Sequence, residues 1–73
     1  MKNRIIKVMA NVFNIDANII TYDSSPDNIE TWDSLKHMNL IVALEEEFCV
    51  EFTDDEIVDS MNYALILNIL ESK

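Results

Sequence analysis

Two serines of this chain, Ser34 and Ser60, each follow an aspartate and are the candidates compared for covalent modification. Asp33 is a good N-cap, so Ser34 is expected at the start of a helix. A phosphate on its hydroxyl would meet free backbone N–H groups and the positive end of the helix dipole. The position therefore suits a phosphodiester, although a serine after a capping aspartate can also be simply part of the cap.

His37 lies three residues after Ser34, which suggests a nucleophile with its general base. At about 100° per residue, however, His37 lies about 60° away from Ser34, toward the arc that holds Leu40 and Leu44. We therefore expect a structural or cavity-lining histidine. A hydrolase using Ser34 and His37 would also lack a third catalytic group and a glycine motif for an oxyanion hole, so no catalytic residue is predicted.

The remaining reactive side chains give weaker indications. Cys49 is the single cysteine and is predicted to be a packing or surface thiol at a helix end. The acidic segments 45–47 and 54–56 are either a solvated face or a loose site for divalent cations. An EF-hand is excluded because its required glycine is missing, and no metal site is predicted.

Apolar residues at helical spacing predict a first helix at about residues 2–14. Residues 15–33 form a long connection rich in turn formers, in which 16–18 could start a short helical turn. Long connections are usually functional or disordered, and the apolar residues of this one favour an ordered loop pinned to the body. The expected anchors are Ile15, Ile19, Ile20, Tyr22, Ile29 and Trp32.

Three further helices are indicated by their caps. The second begins after Asp33 and runs to about Phe48, the third starts at the capping box in residues 53–56, and Asn62 caps a last helix through Leu70. Tight hairpins usually need glycine, which this chain lacks. We therefore predict an all-α fold, a small four-helix bundle with a short third helix and a long first loop.

The second helix carries two separate apolar arcs. The first arc consists of Leu40, Ile41, Leu44 and Phe48, and the second of Leu35, Met38 and Val42. Either both arcs are core, as in a central helix contacted from two sides, or the second is exposed. An exposed second arc, called the apolar ridge below, would be rimmed by carboxylates and would suit weak docking of a partner.

The composition excludes several functional classes. The chain has 14 acidic and 5 basic side chains, a net charge of −9 and 49% hydrophobic residues. Residues 1–73 fit one domain, and a chain this short buries only about 60% of its unfolded surface, which disfavours a deep enzyme cleft. The negative charge disfavours nucleic acid and anionic lipid. Lacking a signal peptide or an apolar run of about 18 residues, the chain is expected to be a cytoplasmic monomer without membrane insertion.

The segment from Asp33-Ser34-Leu35 through its hydrophobic run to Glu45-Glu46-Glu47-Phe48 resembles the acyl carrier protein signature. The resemblance covers the whole chain, including the start of the short helix, and implies a carrier rather than an enzyme. Ser34 is similar to the serine that receives 4′-phosphopantetheine from coenzyme A through a Mg²⁺-dependent phosphopantetheinyl transferase. Acyl groups are then held as thioesters on the terminal thiol of this arm. Ser60 is the weaker candidate, because no comparable run follows it.

The resemblance also implies a docking surface on the second helix for acyl-transferring or acyl-modifying enzymes with basic patches. Carried over by position, this surface consists of Asp33, Leu35, Met38, Val42, Glu45 and Glu46, which nearly matches the apolar ridge and its rim. The family's bundle can also enclose the acyl chain, and Leu40 and Leu44 are expected to line such an interior site.

The sequence departs from the common pattern of fatty acid synthesis around the serine. Thr31-Trp32 precede Asp33 where a small pair such as Gly-Ala is usual, and Lys36, His37 and Asn39 stand where acids and small polar residues are frequent. Weaker docking to enzymes that select a fully acidic helix would follow. This favours a specialised lipid, polyketide or polysaccharide-type pathway. The alternatives are an aminoacyl or peptidyl carrier, and an acidic protein–protein interaction module without a prosthetic group.

Overall fold

A computed structural model describes residues 2–73 of the chain. Its four α-helices are α1 (Lys2–Phe13), α2 (Ser34–Phe48), α3 (Asp54–Asp59) and α4 (Tyr63–Ser72). A 3₁₀ turn, Ala17–Ile19, lies in the connection between α1 and α2. The part of the chain that the structure describes contains no strand, and the predicted four-helix fold with a short third helix and a long first loop is confirmed. Within that part, no helix combines the length and apolar character needed to cross a membrane.

The first helix packs on α2 through the face that its apolar periodicity predicted. Ile5, Met9 and Phe13 lie on this face and are fully buried. On the outer side, Nε of Arg4 donates to Oε2 of Glu47 at 2.9 Å, and a second guanidinium nitrogen donates to the Glu47 carbonyl at 2.8 Å. An exposed ion pair stabilises little by itself, but these two bonds join the start of α1 to the end of α2.

The long connection between α1 and α2 is held in place by hydrogen bonds and aromatic packing. The hydroxyl of Thr31 donates to the carbonyl of Phe13 at 2.9 Å, and the Trp32 ring stacks on the Phe13 ring with 4.8 Å between centroids. Nearer its middle, the carbonyl of Ser24 accepts from the backbone N–H of Tyr63 at 3.0 Å. The loop is therefore tied to both α1 and α4.

Four of the six expected loop anchors contact the core, namely Ile15, Ile20, Ile29 and Trp32. The expectation for Ile19 and Tyr22 is wrong, because they are 57% and 56% exposed. Ile19 ends the 3₁₀ turn, and the residue after it, Ile20, enters the core instead. The centroid of the Tyr22 ring lies 5.6 Å from that of Tyr63 and 5.7 Å from Nζ of Lys2. Tyr22 therefore packs on the outside of the protein instead of entering the core.

The predicted caps are present at all three later helices. Oδ1 of Asp33 accepts from the N–H of Lys36 at 2.8 Å, and the side chain of Asn62 caps α4. Thr53 and Glu56 form the reciprocal capping box of α3. The last helix runs past the predicted Leu70 to Ser72. Each cap satisfies backbone N–H groups that the first helical turn leaves without intrahelical acceptors.

Helices α1 and α2 are each followed by a residue in the left-handed conformation. These residues are Asn14, with φ of 56°, and Cys49, with φ of 55°. Glycine is the usual residue at such helix ends because it lacks the Cβ that makes positive φ unfavourable. The chain contains no glycine. Asn14 tolerates this conformation well, whereas Cys49 is a less favourable choice.

Candidate functional site

Ser34 is the first residue of α2, and its side chain is exposed. The cap by Asp33 uses the N–H of Lys36, while the carbonyl of Asp33 accepts from the N–H of His37 at 2.8 Å. The N–H groups of Ser34 and Leu35 belong to the same first turn, whose donors point out along the helix axis. The Ser34 hydroxyl is therefore accessible and lies at the positive end of a well-capped helix.

The two apolar arcs of α2 have different environments. Leu40, Ile41 and Leu44 of the first arc are at most 1% exposed and contact the core. The apolar ridge is exposed, with 70% for Leu35, 46% for Met38 and 50% for Val42. The interpretation in which both arcs are core is therefore wrong. The other helices pack against a single side of α2, which leaves the ridge beside Ser34 on the opposite side.

The acidic residues of the predicted docking surface differ in solvent exposure and in their hydrogen bonds within the protein. Asp33 and Glu46 are exposed, and Glu46 borders a shallow groove between α1 and α2. Glu45 is half-buried, and its Oε2 accepts from the backbone N–H of Phe52 at 2.8 Å. The Glu45 carboxylate thus helps to position the connection between α2 and α3. The ridge, Asp33 and Glu46 share the solvent-facing side of α2, with Glu45 at its border.

His37 is a structural residue, as predicted from the helical wheel. Its side chain is buried, and Nδ1 accepts from Nε1 of Trp32 at 3.1 Å. Nε2 lies 2.8 Å from the carbonyl oxygen of Ile57 in α3. Both ring nitrogens are engaged away from Ser34, so His37 is not positioned as its general base. The interpretation that His37 interrupts the acidic docking surface is wrong, because burial removes it from that surface.

An apolar depression lies directly beside Ser34. It has a volume of about 440 Å³ and is lined by Pro26, Trp32, Asp33, Ser34, His37, Met38 and Met61. Pro26 and Met61 were not predicted as site residues. Met61 lies in the connection between α3 and α4 and is 43% exposed. The sequence could have indicated Met61 only through the presence of a large apolar side chain in a short connection between two helices.

The competing attachment residue, Ser60, is fully buried. Its hydroxyl donates to the carbonyl of Glu56 at 2.6 Å at the end of α3. A buried hydroxyl that closes a helix end cannot receive a bulky group without disrupting the fold. Cys49 is an exposed thiol at the end of α2, as expected.

Few charged groups have clearly perturbed electrostatics. The backbone hydrogen bond with Thr53, followed by the contact with Lys73, lowers the pKa of Glu56 below its usual range. Nζ of Lys73 lies 2.9 Å from Oε1 of Glu56. Burial raises the pKa of the Tyr63 hydroxyl. Among residues 2–73, no group of three or more metal-ligating side chains is close enough together to hold a metal ion.

Comparison with known proteins gave two informative similarities, although no family model matches the chain. The acyl carrier protein of Syntrophobacter fumaroxidans is 36% identical over 56 residues, which cover 77% of this chain and 69% of that protein. The solution NMR structure of the holo acyl carrier protein from Geobacter metallireducens superposes with a TM-score of 0.88 at 30% identity. That superposition covers 99% of this chain and 83% of the other.

Proposed function

This chain belongs to the acyl carrier protein family, and we propose that Ser34 is the residue on which it bears 4′-phosphopantetheine. Members of the family carry acyl groups, so the function of this chain is that of an acyl carrier and not of an enzyme. The observation that carries the proposal is the exposed Ser34 at the capped start of α2, beside an apolar depression.

The surroundings of Ser34 fit a phosphopantetheine group. The hydroxyl is exposed, and the first-turn N–H groups of α2 can hydrogen-bond phosphate oxygens. The adjacent depression offers an apolar surface to whatever is attached. When bound, the group supplies a terminal thiol on which acyl chains are held as thioesters.

The attachment step uses Ser34 as the nucleophile. Its Oγ forms a bond to the pantetheine-linked phosphorus of coenzyme A and loses its proton to a base of the transferase. The bond between this phosphorus and the bridging oxygen of the pyrophosphate breaks. Adenosine 3′,5′-bisphosphate leaves with that oxygen. A phosphopantetheinyl transferase with bound Mg²⁺ is the partner for this step.

Partner enzymes are proposed to dock on the solvent-facing side of α2. The contacts are the apolar ridge together with Asp33, Glu46 and the partly engaged Glu45. Exposure of the ridge supports this proposal, because an apolar strip with carboxylates beside it suits a partner that presents apolar groups within a basic patch. The charge also disfavours nucleic acid as a partner.

The pathway is proposed to be a specialised one rather than housekeeping fatty acid synthesis. Lys36 is half-exposed and Asn39 is exposed, so both can alter the charge that a docking enzyme meets. Lys36 and Asn39 stand where acidic residues are frequent in the family. The reduced negative charge of α2 would favour some partner enzymes over others. The monomeric state, the single domain over residues 1–73 and the cytoplasmic location stay predictions.

The intact mass of the protein tests the attachment site. Incubation with coenzyme A, Mg²⁺ and a promiscuous phosphopantetheinyl transferase should add the mass of one phosphopantetheine group. Ser34→Ala should abolish this gain, and the exposed position means that the variant should fold normally. A control variant, Ser25→Ala, leaves Ser34 intact and should gain the full mass. If wild type gains no mass, an interaction module without a prosthetic group is favoured instead.

A further inference from the structure

A second depression lies on the connection between α1 and α2 and shares no lining residue with the one beside Ser34. It has a volume of about 300 Å³ and is called the loop depression below. We propose that the loop depression is a docking site for a partner protein that presents one aliphatic side chain between basic residues. None of its lining residues belongs to α2, so this site is separate from the docking surface proposed above. The lining consists of Ile15, Ile19, Asn28, Ile29, Glu30 and Thr31.

Three isoleucines make the loop depression apolar. Ile29 is 4% exposed and Ile15 is half-buried, whereas Ile19 is 57% exposed. A single exposed isoleucine on a protein surface needs no explanation. Ile19, however, shares the depression with the other two, and a side chain inserted among them would remove apolar surface of all three from water. Because the volume is at the lower limit for small-molecule sites, the depression suits one aliphatic side chain.

The polar lining residues of the loop depression are held in place by hydrogen bonds. The hydroxyl of Thr31 donates to the carbonyl of Phe13 at 2.9 Å. Nδ2 of Asn28 donates to the carbonyl of Asp23 at 2.8 Å, and its Oδ1 accepts from the N–H of Ser25 at 2.9 Å. The depression is therefore formed before a partner binds, and little ordering of this segment has to accompany binding.

The charge around the loop depression indicates the chemistry of the partner. Residues 16–33 contain five carboxylates and no basic side chain. All five are exposed, and the two ion pairs found within residues 2–73 lie in other segments. Glu30 belongs to the lining, and Asp16 caps the 3₁₀ turn that carries Ile19. Lysine or arginine on either side of an inserted aliphatic group would therefore meet uncompensated negative charge, which also disfavours an anionic ligand.

NMR titration of the isotope-labelled full chain with short peptides tests this site. The probe is the peptide Lys-Lys-Ile-Lys-Lys, acetylated at its N-terminus and amidated at its C-terminus. We expect it to shift the amide signals of Ile19, Ile29 and Thr31 in a saturable way. The control peptides are Lys-Lys-Ser-Lys-Lys, which keeps the charge, and Glu-Glu-Ile-Glu-Glu, which keeps the aliphatic group. Each control should bind about fivefold more weakly or less tightly still, because each lacks one of the two required features.

A matched pair of variants tests the aliphatic contact. Ile19→Ser removes the most exposed isoleucine of the lining and should raise the Kd of the probe about fivefold. Leu35→Ser changes an exposed aliphatic side chain of the apolar ridge and should leave the shifts at Thr31 unchanged. Both positions are exposed, so both variants should melt close to wild type.

A second pair of variants tests the charge. Glu30→Gln removes the carboxylate of the lining and should raise the Kd of the probe about twofold at low ionic strength. Glu51→Gln removes an exposed carboxylate that does not line the depression and should leave the Kd unchanged. Added salt should weaken binding to wild type and reduce the difference between wild type and Glu30→Gln, since exposed charges are screened.

The outcomes separate this inference from the proposed function. The titrations use unmodified protein, so they do not depend on attachment at Ser34. Shifts confined to the apolar ridge, no saturable shift at all, or equal binding of the serine peptide would each overturn the loop depression as a docking site. Self-association of wild type in sedimentation, abolished in Ile19→Ser, would also overturn it, because a second copy of the chain would then occupy the depression.

Discussion

The indole N–H of Trp32 donates to Nδ1 of His37 at 3.1 Å, so two of the residues that depart from the common family pattern are directly bonded. Accepting at Nδ1 requires the neutral tautomer of His37 that carries its proton on Nε2. That Nε2–H donates to the carbonyl of Ile57 at 2.8 Å. The pair therefore connects the loop, α2 and α3 behind Ser34.

Removing the Trp32 donor should destabilise the protein through His37. Trp32→Phe retains an aromatic ring against Phe13 but leaves a buried ring nitrogen unpaired, which costs about 1–3 kcal/mol in addition to lost packing. In urea denaturation, Trp32→Phe and His37→Leu should be non-additive, with a coupling of about 0.5–3 kcal/mol. Additive losses from the two substitutions would show that the bond contributes nothing. The control is Tyr22→Phe, which changes an exposed aromatic side chain and should not couple with His37→Leu.

Replacing Cys49 by glycine should stabilise the protein. Cys49 has a positive φ at the end of α2, and a residue with a Cβ is less stable than glycine in this conformation by about 1 kcal/mol. The free energy of unfolding of Cys49→Gly should increase by up to that amount. Cys49→Ala removes the thiol but retains the Cβ, so it should show no such gain. Equal stabilisation by both substitutions would assign the effect to the thiol.

The apolar ridge should contribute to docking and little to stability. Leu35 is 70% exposed, so Leu35→Ser should change the free energy of unfolding by no more than about 0.5 kcal/mol. The same substitution should lower kcat/KM of the phosphopantetheinyl transferase roughly tenfold if Leu35 is an interface hot spot. Ile19→Ser changes another exposed aliphatic side chain, away from α2, and should leave transfer unchanged. Equal transfer rates for both variants would remove the ridge from the interface.

The lowered pKa of Glu56 predicts a pH-dependent contribution to stability. Because the folded state favours the charged carboxylate, the contribution is present above the pKa of the unfolded chain and is lost as pH falls through the lower folded value. Melting temperatures of wild type and Glu56→Gln should therefore differ most near neutral pH and converge in acid. Asp55→Asn, at an exposed neighbouring position, is the control. A difference that is constant with pH would contradict the charge-based explanation.

The helices and their caps were predictable because their causes are local. The cap by Asp33, the capping box of Thr53 and Glu56, and the cap by Asn62 each depend on residues within three positions of one another. The apolar period of α1 likewise predicted its buried face. The position of Ser34 at the start of α2 followed from the same local rules, and the family resemblance supplied its expected role.

Other features depended on contacts between distant segments. The sequence shows two apolar arcs on α2, but only the packing of the other elements decided that Leu40 is buried and Leu35 is exposed. The loop anchors were misjudged at Ile19 and Tyr22 for the same reason, since hydrophobicity does not determine which side chain of an irregular segment faces the core.

The features of the site at Ser34 therefore have two causes, one local in the sequence and one in the packing of distant segments. Charge, periodicity and capping act over a few residues, and they suffice to predict an acidic helical chain with a serine after a capping aspartate. Only the tertiary structure decided what lies beside that serine. It brings Met61 to the start of α2 and joins Trp32, His37 and Ile57 by hydrogen bonds, because burial and hydrogen bonding act between groups that the fold makes neighbours.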